Sequence, residues 1–184
     1  MIVAIHQPNF FPWLPFYEKI KAADVFVFLR NCQFEKNNYQ NRFHYRDRWH
    51  TMSVNKGLEP IVDKRYVGHE KDWNKIKTNL RDKKLVLADY DSCINDSLYE
   101  TNHNIIIKTL NKLNIHTAIE YDSSTNLAST DRLVEICKSL NATTYLAGRG
   151  GTKYMDMNKF EEAGIKVEIQ TVSVEQSIHV LDIL

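Results

Sequence analysis

The sequence predicts an α/β fold with an open, mostly parallel, doubly wound sheet of the Rossmann-like type. Residues 1–5 and 25–29 are short, continuous apolar runs, as expected of strands that are buried on both faces. Between these runs, apolar residues recur at helical spacing from Trp13 to Ala23. A strand, a helix and a second strand of these lengths form a βαβ unit with a right-handed crossover, which requires a parallel sheet.

The second half of the chain continues the alternation of helices and strands. Thr130 and Asp131 are expected to cap the start of one helix, and Gly164 is expected to end another. Residues 61–97 have no clear assignment apart from a helix over 73–80. The other expected helices cover residues 98–113, 132–140 and 157–163, and the other expected strands cover residues 117–121, 143–147 and 166–170.

Residues 30–60 follow a different pattern, because they are polar and aromatic and show no helical period. Alternation over residues 43–45 and 49–54 predicts a small antiparallel hairpin, so this segment is a flap inserted after the second strand. No linker, repeat or low-complexity stretch interrupts the chain. The sequence therefore predicts a single α/β domain over residues 1–184, a length that one hydrophobic core can serve.

The composition excludes several classes of protein. With 43% hydrophobic and 26% charged residues the chain is not disordered, and a net charge of +1 argues against a nucleic-acid partner. No apolar run approaches the roughly 18 residues of a membrane span, and the N-terminus has no basic leader, so we expect a cytoplasmic protein. The three cysteines and seven histidines show no metal-ligand spacing, so no metal is indicated. Cys32 lies beside the flap, where the sequence leaves open whether it is a nucleophile or a packed thiol.

The first candidate site follows the first strand. His6 stands where that strand ends, and in open parallel sheets ligands bind at the carboxyl ends of the strands. A histidine there can transfer a proton, so His6 is the candidate catalytic residue, with Gln7, Asn9 and Trp13 as candidate binding residues. The alternative is that His6 is a core residue and the neighbouring prolines only shape a turn.

The second candidate site lies in the flap, which concentrates side-chain amides, cations and aromatic rings. Amides suit sugar hydroxyl groups, and arginine offers paired hydrogen bonds to phosphate or carboxylate oxygens. The alternative is a solvated hairpin whose amides satisfy its own backbone. The candidate binding residues are Gln33, Lys36, Gln40, Asn41 and Arg42.

The third candidate site is the glycine-rich loop between a predicted strand and the next helix. Its candidate binding residues are Gly148, Arg149, Gly150 and Tyr154. Glycines allow the backbone to approach a ligand, although the spacing fits neither a Walker A loop nor a dinucleotide fingerprint. A parallel sheet would bring this loop to the same edge as His6.

Together these segments resemble the WbqC-like protein family of bacterial O-antigen and surface-polysaccharide biosynthesis. The resemblance rests on residues 6–13, 23–29, 33–36, 40–42, 130–133, 145–148, 150–151, 154 and 181–184. The sequence departs from the family pattern at two places. Arg30 and Asn31 stand where the family tends to have acidic residues, and Pro15 stands where a glycine is usual.

The resemblance implies a transferase that attaches glycine or a related (amino)acyl group to the amino group of a nucleotide-linked sugar or glycan precursor. The implied cofactor is an activated acyl donor, either acyl-CoA or an acyl carrier protein. In that reaction His6 would serve as the base, Arg149 or loop amides as oxyanion donors, and Lys36 with Arg42 as the phosphate-binding cations.

Two other functions remain open from the sequence. A strand, a histidine-containing turn and a helix also resemble the start of nucleotidyltransferases with a HIGH-type signature, although the second histidine of that signature is missing. A non-catalytic sugar-binding or scaffold protein of the polysaccharide machinery is the third possibility. It would bind the same ligands without turnover.

Overall fold

Five parallel strands form the central sheet of the protein, and two further strands form a separate hairpin. The computed structural model describes residues 1–172 and 178–184. The strands are β1 (Ile2–His6), β2 (Val25–Phe28), β3 (Arg42–Tyr45), β4 (Arg48–Thr51), β5 (Ala118–Tyr121), β6 (Thr144–Ala147) and β7 (Lys166–Ile169). The sheet order is β5-β2-β1-β6-β7, so the mostly parallel α/β fold predicted from the sequence is confirmed.

Six α-helices lie in the part of the chain that the structure describes. They are α1 (Leu14–Lys21), α2 (His69–Asn79), α3 (Lys84–Ala88), α4 (Leu98–Lys112), α5 (Ser129–Ser139) and α6 (Met157–Glu162). Within the described residues, no helix is long and apolar enough to span a membrane.

Both faces of the sheet are covered, which explains why its strands are continuous apolar runs. Side chains of α1 and α4 pack with Ala4 and Phe26 on one face. Side chains of α5 and α6 pack with Val3 and Val27 on the other. This alternation of successive residues between two buried faces is the pattern of a doubly wound sheet.

The insertion after β2 contains the predicted antiparallel hairpin, in which Phe43 pairs with His50. Its apolar side chains do not form a loose flap. Phe34, Phe43 and Met52 are at most 2% exposed, and they join a core cluster with α2, α3 and the turn after β1. The insertion is therefore anchored to the rest of the protein by the burial of these side chains.

The expected cap at Thr130 and Asp131 is wrong. Helix α5 begins at Ser129, and its N-cap residue Ala128 makes no side-chain capping bond. The Thr130 hydroxyl instead accepts a hydrogen bond from the backbone N–H of Asp156, and the Asp131 carboxylate pairs with Lys159. The tertiary contacts to the segment around α6 have replaced the local cap.

Candidate active site at the end of the central strands

A gap opens between β1 and β6 at the carboxyl end of the sheet. Pairing between these strands ends at Ala4 with Leu146, whereas β1 stays paired with β2 as far as His6 with Phe28. The chain leaves β1 toward one edge of the sheet and leaves β6 toward the other. The gap is therefore the topological switch point, where ligands of doubly wound sheets bind.

A cavity of about 640 Å³ lies at this gap, within the size range of small-molecule sites. Its walls come from β1 and the turn after it, from α1, from the insertion, from the loop after β6 and from the C-terminal segment. The lining residues are Ile5, His6, Gln7, Asn9, Phe11, Pro12, Trp13, Lys19, Glu35, Asn38, Tyr39, Phe43, His44, Tyr145, Gly148, Gly150, Gly151 and His179. All three predicted site segments therefore meet at one cavity, although the binding residues predicted in the insertion are not among its lining residues.

His6 lines the cavity as a neutral imidazole. Its Nδ1 lies 2.8 Å from the Gln7 carbonyl oxygen, so Nδ1 carries the hydrogen and donates it, which leaves Nε2 as an acceptor. The ring stands edge-on to Phe16, with centroids 5.1 Å apart. Exclusion of water, together with the nearby charge of Lys19, lowers the pKa of His6 to about 3, against the hydrogen bond to Gln7. His6 therefore stays uncharged at neutral pH.

The Gln7 side chain is held in place by hydrogen bonds to other side chains of the protein. Its Nε2 donates to Cys32 Sγ at 3.3 Å and to Glu35 Oε1 at 3.2 Å, while its Oε1 accepts from Gln40 at 2.8 Å. Gln40 is fully buried, and its Oε1 accepts from the backbone N–H of Glu35. The two glutamines thus orient Glu35 and the turn after β1, and their amides are already engaged.

Asn102 of α4 also fixes the turn after β1 by hydrogen bonds. The sequence analysis missed this residue. Its buried side-chain amide donates to the carbonyl oxygens of Pro8 and Gln40, at 2.9 and 2.7 Å. An asparagine on the apolar face of a helix is the available sequence signal, because a buried amide needs partners.

Other predicted residues offer open polar or aromatic groups to the cavity. The Asn9 side chain makes no hydrogen bond to the described part of the chain, and the Trp13 ring is 50% exposed. A Cβ added at Gly148 or Gly150 would meet no atom within 4 Å, so these glycines border open space. The loop after β6 therefore leaves room for a ligand beside its backbone.

The remaining predicted residues lie elsewhere. Lys36, Asn41 and Arg42 border a second cavity of about 470 Å³ in the insertion, where Arg42 stacks 3.9 Å above the Trp49 ring. Asn41 is buried and donates to the backbone oxygen of Met52. None of these three lines the large cavity.

Three further predicted residues are exposed and do not line the large cavity. Gln33 forms a backbone bridge with Pro60. Arg149 follows Gly148 in the glycine loop, and the Tyr154 side chain is 84% exposed.

Lys19 is a buried cavity residue that the sequence analysis missed. It is 2% exposed, and its Nζ donates to the carbonyl oxygen of Ile5 at 3.1 Å. Burial lowers the pKa of Lys19 to about 7. The available signal was its position three residues after Phe16 and one before Ile20, on the apolar face of α1.

The other titratable groups of the cavity are Glu35, Tyr39, His44, Tyr145 and His179. Burial lowers the pKa of His179 to about 4, although Asp182 and the carbonyl of Phe11 raise it. Glu35 and His44 are exposed near the mouth. The cavity thus has an acidic side chain at its mouth and a buried amine at its floor.

Cys32 is half-buried behind Gln7 and does not line the cavity. Burial raises the pKa of its thiol to about 11, against the hydrogen bond from Gln7. A protonated thiol is a poor nucleophile, so the geometry favours the packed-thiol interpretation. Within the described residues, no cluster of three His, Cys, Asp or Glu side chains is placed to hold a metal ion.

Comparison with known proteins identifies the family to which this chain belongs. The model of the WbqC-like protein family matches residues 7–178, which include most of the cavity-lining residues. An uncharacterized protein of Mycobacterium tuberculosis is 26% identical over 190 residues, covering 90% of this chain and 80% of that protein. No solved structure matches the chain. Because the family model spans nearly the whole sequence, this chain belongs to the WbqC-like protein family.

Proposed function

We propose that the protein is a transferase of bacterial surface-polysaccharide biosynthesis that attaches glycine or a related (amino)acyl group to the amino group of a nucleotide-linked sugar. The observation that carries the proposal is the cavity at the switch point, where a neutral imidazole and a buried amine line the same space. Both groups have lone pairs for an amine substrate, and the volume accommodates a sugar with part of its nucleotide.

The mouth of the cavity suits such an acceptor. The exposed Glu35 carboxylate attracts the sugar ammonium, and Asn9 offers an amide to sugar hydroxyl groups. Tyr39 is 49% exposed, and with Trp13 it supplies ring faces for stacking on a base or sugar. The glycine loop leaves space for the bulky diphosphate beside its backbone.

The reaction needs an acceptor amine in its neutral form. The amine nitrogen attacks the carbonyl carbon of an activated acyl donor, for which we propose a thioester of coenzyme A or of an acyl carrier protein. The new C–N bond replaces the C–S bond, the thiolate departs, and the nitrogen loses a proton. In this step His6 Nε2 accepts a hydrogen bond from the amine and aims its lone pair at the carbonyl.

The first test is thermal unfolding with separate additions of nucleotide-linked amino sugars, acyl-CoA, ATP and CTP. A ligand at 100 times its dissociation constant stabilises the fold by about 2.7 kcal/mol, which raises the midpoint by about 5–10 °C for a chain of this size. We expect this shift with an amino sugar nucleotide. The control is Gly150→Leu, whose added side chain occupies open space in the cavity and should abolish the shift without lowering the midpoint of the free protein.

Each outcome of this screen points to one function. A shift with ATP or CTP alone supports a nucleotidyltransferase with a HIGH-like turn and overturns our proposal. Binding of the amino sugar nucleotide without transfer from any thioester donor supports a non-catalytic sugar-binding or scaffold protein. A shift that persists in Gly150→Leu means that the ligand binds outside this cavity.

His6 variants test the role of the imidazole in transfer. His6→Ala removes the acceptor at Nε2, and we expect the transfer rate to fall about 10- to 100-fold, the equivalent of one lost hydrogen bond of 1.4–2.8 kcal/mol. His6→Gln places an amide oxygen near the Nε2 position and should retain more activity than His6→Asn, whose amide is too short to reach it. Equal rates in all three variants and the wild type would remove His6 from the mechanism.

A further inference from the structure

The buried amine of Lys19 is the most unusual charged group of the cavity. Lysine is almost never fully buried unless it is paired, yet Lys19 makes no ion pair with an acidic side chain of residues 1–172 or 178–184. Among residues 1–172 and 178–184 its hydrogen-bond partner is Ile5, which lies beyond the last pair between β1 and β6. With one such partner for three donors, burial disfavours the ammonium relative to the neutral amine.

The helix geometry explains how Lys19 reaches the floor of the cavity. Helical side chains lean toward the N-terminus of their helix, and the N-terminal end of α1 faces the gap through Trp13. Lys19 therefore extends back along α1 to the end of β1, where His6 also stands. Lys19 and His6 both line the cavity, and Lys19 donates to the residue directly before His6.

Resting on the proposed function, we propose that Lys19 Nζ is the proton acceptor of the site. As a neutral amine, it takes the proton from the acceptor ammonium and becomes an ammonium itself. As the acyl group moves, the nitrogen loses a second proton, which passes to the departing thiolate, and the Lys19 ammonium then releases the first proton to water. No electrons are exchanged with an outside reagent, and the lysine ends the cycle neutral.

This assignment divides two roles between two residues. A proton acceptor works best when its pKa is close to the working pH, and burial brings the pKa of Lys19 to about 7, whereas that of His6 is about 3. The other titratable groups that face the same cavity are His6, Tyr39, Tyr145, Glu35, His44 and His179. Among these Glu35 is the acidic side chain, and it lies at the exposed mouth.

The first experiment needs no variant. The protein is labelled with trace acetic anhydride between pH 5 and 10, and the acetylation of each lysine is measured by peptide mass spectrometry. We expect Lys19 to become reactive with a midpoint near pH 7, and Lys21, which is exposed on the same helix, is the comparison residue in the same sample. A Lys19 midpoint above pH 9, or no acetylation of Lys19 in the folded protein, overturns the proposal.

The second experiment measures transfer by Lys19→Gln, with Lys21→Gln as the matched control. We expect kcat for Lys19→Gln to fall about 10²- to 10⁴-fold with KM within a few-fold of the wild type, and Lys21→Gln to be unchanged. The wild-type rate should rise with pH through about 7 as Lys19 loses its proton, and Lys19→Gln should lose this inflection. Glutamine keeps a donor for the Ile5 carbonyl, so a merely structural role predicts no change in the pH profile.

The two proposals fail in different ways. If the wild type transfers an acyl group and Lys19→Gln does so with the same rate and pH profile, the assignment of Lys19 is wrong while the transferase stands. If no thioester donor and amino sugar nucleotide react with the wild type, yet Lys19 acetylates with a midpoint near pH 7, the transferase is wrong. Lys19 then remains the reactive amine of the cavity.

Discussion

Replacing Asp122 with asparagine is expected to lower the free energy of unfolding by about 3–5 kcal/mol, because it breaks a buried ion pair and leaves one charge unpaired. Asp122 is 3% exposed, and its carboxylate accepts hydrogen bonds from the Arg132 guanidinium and from the backbone N–H groups of Arg30 and Asn31. Asparagine keeps the shape of this side chain but removes the charge. The measurement is urea-induced unfolding of the variant and the wild type.

An exposed ion pair provides the control for this prediction. Arg46 and Asp82 form a two-hydrogen-bond pair, with more than half of each side chain exposed. Water screens such pairs, so Asp82→Asn should leave the urea midpoint almost unchanged. If Asp82→Asn shifts the midpoint as much as Asp122→Asn does, burial is not the cause of the larger effect.

The second large effect is expected for Phe11→Ala, which should destabilise the fold by about 3–5 kcal/mol. Phe11 is 1% exposed and packs against Phe43, Trp73 and Tyr90, with the Trp73 ring stacked at 5.7 Å. Truncation removes these contacts and leaves a void where the insertion joins the turn after β1. Thermal or urea unfolding measures the loss.

Two comparison variants show whether packing is responsible. Phe11→Leu retains most of the apolar volume and should cost clearly less than Phe11→Ala. Leu85 is 87% exposed on α3, so Leu85→Ala should stay within about 0.5 kcal/mol of the wild type. A Phe11→Ala variant as stable as Leu85→Ala would contradict the role of Phe11 in the core.

The sheet was predictable because its signals are local and strong. The apolar run of β1, the helical spacing of α1 and the run of β2 each determine their own element, and their order determines the parallel topology. The cap at Thr130 was wrong because a distant segment, around Asp156, satisfies that hydroxyl. Local sequence does not contain that contact.

The candidate site was predictable only in part. His6 and the glycine loop follow two strands of one parallel sheet, so their approach could be inferred from topology. Lys36 and Arg42 carry the right charges, but the fold of the insertion turns them to a different cavity. Lys19 was missed because a lysine in a helix normally reaches solvent, and only the length of its side chain and the early end of the β1–β6 pairing bring it to the cavity.

The early separation of β1 from β6 has a consequence for how this fold can acquire new chemistry. The gap at the base of the cavity begins beyond Ala4 and Leu146, where pairing between the two strands stops. The reactive group arrives from a helix, as one replaceable side chain. A substitution at residue 19 can therefore exchange an amine for an acid, an amide or an apolar group without changing the backbone conformation. Relatives with the same architecture can for this reason differ in the reaction they support.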